Sequence, residues 1–127
     1  MQTFTKVVLY TDRDGRAQFR DEQVPLGEGT SQAMLSQLFP SPGYQLRHSP
    51  VGFRSQWHCT PIAQWVFILQ GEMEIGLRDR TSRIFRPGEH FHASDTLPDG
   101  ATFDASLHGH WSAQRGAHPL VTLFLRA

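Results

Sequence analysis

The stretch Gly52-Phe53-Arg54-Ser55-Gln56-Trp57-His58-Cys59-Thr60-Pro61-Ile62-Ala63-Gln64, continued by Trp65-Val66-Phe67-Ile68-Leu69-Gln70-Gly71, decides the fold. Five residues separate Gly52 from His58, three separate Thr60 from Gln64, and six separate Gln64 from Gly71. Gln64–Leu69 is rich in β-branched and aromatic residues, which suit the pleated, half-buried surface of a strand. Gln70-Gly71 then turns the chain into Glu72–Leu77. There Met73, Ile75 and Leu77 alternate with Glu72, Glu74 and Gly76, the period of two expected of a strand with one buried face.

The same punctuation runs through the rest of the chain. Phe4–Tyr10 is apolar-rich and ends in Thr11-Asp12-Arg13-Asp14-Gly15, a strong turn signal, so it is predicted to pair with Arg16–Gln23 as a hairpin. Gln32–Phe39 fits either a helical turn or a strand, because Met34, Leu35, Leu38 and Phe39 also fall on a helical face. After the turn Ser41-Pro42-Gly43, Tyr44–His48 and Phe53–Cys59 read as extended. Asp79-Arg80-Thr81 turns again, Arg83–Arg86 leads to Pro87-Gly88, and Glu89–Ala93 reads as a strand. Thr96–Ser106 is polar, contains Pro98-Asp99-Gly100 and reads as an extended loop, and Pro119–Leu125 closes the chain as an apolar strand. Many short strands between Gly- and Pro-rich turns predict an all-β sandwich or barrel.

Composition narrows the function classes. A chain of 127 residues is expected to form a single domain, residues 1–127. Twelve basic residues balance twelve acidic ones, so no global field would draw nucleic acid or an acidic membrane surface, and neither is an expected partner. The lone Cys59 cannot form an internal disulfide, Met1–Lys6 lacks the pattern of a signal peptide, and no apolar run approaches the roughly 20 residues of a membrane span. A cytoplasmic protein is expected.

Together these features resemble the cupin superfamily, and in particular its small single-domain bacterial members. The first cupin motif runs Gly, five residues, His-x-His, three or four residues, Glu, six residues, Gly. Here Thr60 replaces the second His and Gln64 replaces Glu. The second motif begins at Pro87-Gly88, 16 residues after Gly71, with Ser94 where a Pro is usual. Its His matches His110, and Gln114 stands at the Asn position. The closing Gly109-His110 … Gly116 … Pro119 pattern and Asp95-Thr96 match one group of small cupins, relative to which the segment from about Leu97 to Leu107 looks inserted. The resemblance implies an all-β fold, a cupin double-stranded β-barrel (jelly roll) over about 45–125, with an N-terminal hairpin (1–40) packing on it. Fold alone does not fix function.

Residues two apart in a strand share a face, so His58 and Thr60 point the same way. In the cupin arrangement that face is the barrel interior, where Gln64 joins from the next strand and His110 from a third direction. Two imidazoles and a neutral amide suit a first-row divalent ion such as Fe, Mn, Ni, Cu or Zn. No carboxylate is among them, so a bound ion keeps its full charge and favours an added anionic ligand. The alternative is a vestigial site whose histidines are simply hydrogen-bonded. His90 and His92 form a second His-x-His; facing inward, either could replace the ligand lost at Thr60, with His92 taken into the expected metal set, and facing outward both are sheet-surface residues. His108 competes with His110, which the flanking Gly109 and Gln114 favour. Asp95 is read either as a general base at the pocket mouth or as a cap on its own loop.

If Gln64 faces the pocket, Val66 and Ile68 line it with Thr60, while Trp65 and Phe67 lie outside. That outer stripe either meets a second subunit, giving a homodimer, or packs against the N-terminal hairpin. The inserted segment is expected to cover the barrel mouth, with Phe103 excluding water. The expected activity is that of a small metal-dependent enzyme of oxygenase, cyclase or isomerase type acting on a small organic molecule, with His58, His110 and Asp95 as catalytic residues. A barrel that binds a small molecule without turnover is the alternative.

Overall fold

The computed structural model describes all 127 residues and contains strands, turns and loops but no helix. Eleven strands follow one another: β1 (Thr3–Thr11), β2 (Ala17–Pro25), β3 (Glu28–Thr30), β4 (Ala33–Leu35), β5 (Tyr44–Ser49), β6 (Gln64–Gln70), β7 (Glu72–Gly76), β8 (Ser82–Phe85), β9 (His90–Ser94), β10 (Trp111–Arg115) and β11 (Leu120–Arg126). Six of them form one sheet in the order β2-β1-β9-β6-β11-β5, and a second sheet runs β10-β7-β8. Single antiparallel bridges, Arg54 to Ala113 and His58 to His110, extend the second sheet with the stretch before β6.

The apolar alternation of each strand closes the space between the sheets. Val66 and Ile68 of β6, Phe91 of β9 and Leu9 of β1 meet Met73 and Ile75 of β7 in one buried cluster. Burying such side chains stabilises by about 1.5–3 kcal/mol each, so the two sheets are held mainly by their facing sides. Gly71, at φ 77°, makes the tight β6–β7 turn, and a Cβ there would come within 2.4 Å of the Pro119 carbonyl oxygen.

The N-terminal hairpin forms as its turn chemistry predicts, with Asp12 Oδ1 accepting from the N–H groups of Asp14 and Arg16. It does not pack on the barrel from outside. β1 enters the six-stranded sheet and pairs in parallel with β9, placing Val8 beside His92 and Leu9 beside Ala93. Buried Val7, Val8 and Leu9 drive this, because both faces of β1 are covered. The open reading of Gln32–Phe39 resolves to the short strand β4, paired with β3, followed by an irregular segment. β10 was not expected from the sequence, since its buried positions include polar Ser112 and Gln114.

The segment between β9 and β10 is the long loop predicted, but it does not cover the space between the sheets. Arg78 stacks its guanidinium 3.6 Å from the Trp57 ring centre and donates to the carbonyls of Ala105 and His108, the latter at 2.8 Å. Those bonds hold the loop against the β7–β8 turn. Phe103 is 39% exposed and lies beside His108, 6.1 Å between ring centres.

Candidate functional site

A cavity of about 250 Å³ opens between the two sheets. Its apolar walls come from the inward positions of the large sheet and β7, among them Val66, Phe91, Ile75 and Phe124. One side is polar, built from His58, Thr60, Gln64, His110 and Ser112, with Arg47 completing it. Gln64 lies opposite Ala93 in the β6–β9 register, which turns both inward.

The two histidines meet through backbone pairing. His58 N–H donates to the His110 carbonyl at 2.9 Å, and His110 N–H returns the bond to the His58 carbonyl at 2.9 Å. In such a pair opposite side chains share a face, and the two rings stand 4.6 Å apart between centres. Gly109 makes this approach possible: it sits at φ 86°, against the backbone of His58.

Each ring is anchored at Nδ1. Asp95 Oδ2 accepts from His110 Nδ1 at 2.8 Å, and the Gln56 carbonyl accepts from His58 Nδ1 at 2.8 Å. A carboxylate or carbonyl oxygen accepts only, so each Nδ1 carries a proton, and neither Nε2 is engaged by another group of the protein. Burial, above all, holds His58 below the ordinary imidazole range; the nearby His110 and Arg47 push the same way, while the Gln56 carbonyl opposes them. His58 therefore stays neutral at physiological pH, the form that ligates a metal.

Asp95 is fully buried and lies behind His110 rather than at the mouth of the pocket. Its second oxygen accepts from the Thr11 hydroxyl at 2.7 Å, a contact that the parallel β1–β9 pairing creates. Both of its oxygens are thus engaged, and Asp95 acts as a positioning residue for His110 rather than as a base facing the cavity. Thr11 had no signal in the sequence, because its partner lies 84 residues away.

Other expected site residues lie elsewhere. His92 points to the opposite face from Phe91 and Ala93, packs edge-on against Trp65 at 5.4 Å, and is excluded from the metal set by that orientation. Its Nδ1 is buried without a partner, and burial drives its pKa down to about 4. His90 shares that outer face, its Nε2 accepting from the Val7 N–H at 3.3 Å. Ile68 points inward but lies in the packed core beyond the cavity, and Phe103 lies outside it on the loop. His108 is buried under the same loop, where its Nδ1 accepts from Asp104 N–H at 3.0 Å. Gln114 is a structural pin: Oε1 accepts from Gly52 N–H, and Nε2 donates to the Gly116 and His118 carbonyls, each at 2.8 Å. Cys59 has its thiol pushed up to about 11, chiefly by burial, which disfavours the reactive thiolate.

The stretch that carries the first motif and the segment that carries the second are bridged at His58 and His110, across a pocket between two facing sheets. The fold is all-β, two facing sheets around one pocket, as the cupin resemblance implies. No protein-family model and no curated protein matches the chain. Among solved structures, the chain is similar to the cupin domain of Cnp3 from Schizosaccharomyces pombe, at 15% identity and a TM-score of 0.47, over all of this chain and 84% of that one. No helix here is long and apolar enough to cross a membrane.

The donors of this pocket suit a divalent ion in kind. Both imidazoles have the oxygen partner at Nδ1 that metal-ligating histidines have almost without exception. Gln64, with an amide oxygen, lines the same pocket. No three His, Cys, Asp or Glu side chains converge on one point, so any ion would rest on two imidazoles and neutral oxygen.

Proposed function

We propose that this chain is a small metal-dependent cupin enzyme that acts on a small organic molecule inside the barrel. The observation that supports it is the pair of cavity-lining rings with their protons fixed on Nδ1 and both Nε2 atoms free. His58 and His110 would hold the ion, with Gln64 completing the protein donors. A first-row divalent ion there supplies Lewis-acid polarisation of a substrate oxygen or, as Fe(II), oxygen activation. The remaining work falls to the chain. Asp95 fixes the tautomer and angle of His110, the hydroxyls of Thr60 and Ser112 are placed to bond polar substrate atoms, and Val66, Ile75 and Phe91 exclude water. Oxygenation, cyclisation and isomerisation are the reaction types this supports, and a cytoplasmic setting goes with the reading.

Titration with Co(II), followed by its visible absorption, tests the proposal. One equivalent should bind saturably to the native chain, and His58→Ala should remove it. The absence of a third acidic, thiol or imidazole ligand favours a second reading, a barrel that binds its ligand without turnover. No Co(II) binding would leave that reading in place.

The outer face of the large sheet supports a homodimer as part of the same proposal. Tyr44, Leu125 and Trp65 form one cross-strand row, and Leu46, Leu123 and Phe67 form the next. Tyr44 is 69% exposed, Leu46 68% and Leu69 51%, a breadth of apolar surface unusual on a monomer. Light scattering should give twice the chain mass, and Leu46→Glu should return the monomer. A native chain that is monomeric at micromolar concentration contradicts this.

A further inference from the structure

The mouth of the cavity carries a charge that the motif spacing does not mention. Arg47 lies on edge strand β5, opposite Thr122, and is exposed at the rim while lining the same space as His58 and Gln64. Its guanidinium lies between two aromatic rings, 5.0 Å from the centre of Phe53 and 5.6 Å from that of Phe124. That packing restrains a long side chain without using its N–H groups. None of the four ion pairs in the molecule involves Arg47.

No carboxylate lines the cavity to balance it. Asp95, the nearest candidate, has both oxygens committed to His110 and Thr11. The remaining polar lining holds no acidic group: two imidazoles, one amide and two hydroxyls. The pocket therefore presents one positive fork at its mouth and an apolar interior ending at the histidine pair. A guanidinium matches a carboxylate in charge and in bidentate geometry, and such charge-assisted bonds are about twice as strong as neutral ones.

We propose that the ligand of this cavity is a small organic carboxylate, held at its anionic end by Arg47 with its apolar body between Phe91 and Phe124. The inference names the substrate class for the site proposed above and rests on that cavity, but not on a bound metal. An anion would also be attracted to a divalent ion, so the test uses chelator-treated protein, in which no metal charge contributes and Arg47→Gln isolates the guanidinium.

The probes are benzoate and hexanoate, each compared by calorimetry with its uncharged amide, which has nearly the same shape. Native protein should bind at least one of the acids about tenfold or more tightly than its amide. Arg47→Gln should abolish that preference while leaving the melting temperature unchanged, because the side chain is exposed at the rim. Arg47→Lys should keep part of it, since charge remains but the fork is lost. Equal binding of acid and amide, a preference that survives Arg47→Gln, or no binding of either acid at millimolar concentration would each overturn the proposal. Failure of the metal reading shows differently: Co(II) does not bind, while the acid preference and its dependence on Arg47 persist.

Discussion

Gly109→Ala is expected to abolish metal binding and to lower the melting temperature by several degrees. Gly109 stands at φ 86°, where an L side chain costs about 1–2 kcal/mol from its own backbone. The larger effect is the clash. An added Cβ would fall 2.5 Å from the carbonyl oxygen of His58, 2.8 Å from its carbonyl carbon and 3.1 Å from its nitrogen. All three are backbone atoms, so no side-chain rotation relieves the contact, and the pairing between His58 and His110 must open. Both imidazoles then lose the common face on which the site depends. Gly100→Ala is the control, because Gly100 has φ 73° but nothing within 4 Å of an added Cβ. It should show the backbone cost alone and bind metal normally. Co(II) titration and calorimetry on the two variants separate strain from clash, and a Gly109→Ala protein that binds like the native chain would contradict the geometry.

Asp95→Ala carries the next largest effect. The carboxylate is wholly buried, and its removal strands the Nδ1–H of His110 without an acceptor, while the Thr11 hydroxyl keeps only the Thr96 carbonyl. Leaving a buried donor without its acceptor costs about 1–3 kcal/mol, against a total domain stability of about 5–15 kcal/mol. Denaturant unfolding should show that loss directly. Asp95→Asn keeps the shape and one acceptor, so it should fold, yet bind a divalent ion about 10–100-fold more weakly because the ring it supports is less basic and less fixed. An Asp95→Asn chain with native metal affinity would mean that His110 needs no positioning.

The fold is legible where the determinants are local. Gly52, His58, Gln64 and Gly71 lie in one continuous stretch whose spacing sets strand, turn and strand, and the alternation in β7 marks its buried face without ambiguity. His110 is found through its neighbour Gly109, whose need for a left-handed backbone is a local property. What depended on pairing between distant strands was not legible. The side of β9 that faces inward is fixed by register with β6, and shifting that register by one residue exchanges Phe91 for His92. The sequence cannot choose between them, so His92 read as a possible ligand. Thr11 meets Asp95 only because β1 joins β9 in parallel, and nothing near Thr11 signals that partner. Ile68 continues the inward face of Val66, but where a cavity gives way to packed core depends on side chains from the other sheet. Phe103 belongs to a loop whose course is set by Arg78 and Trp57, two residues from separate parts of the chain. Arg47 went unnoticed for a related reason, since an arginine on an edge strand looks like surface until Phe53 and Phe124 are placed beside it.

The central claim is that His58 and His110 hold a divalent ion in the barrel. Elemental mass spectrometry on the untagged protein as purified, beside His58→Ala and His110→Ala, tests it most directly. Near-stoichiometric Fe, Mn, Ni, Cu or Zn in the native chain, lost in both variants, is the result expected. Native protein without metal, even after anaerobic reloading, or metal retained in either variant, would contradict it.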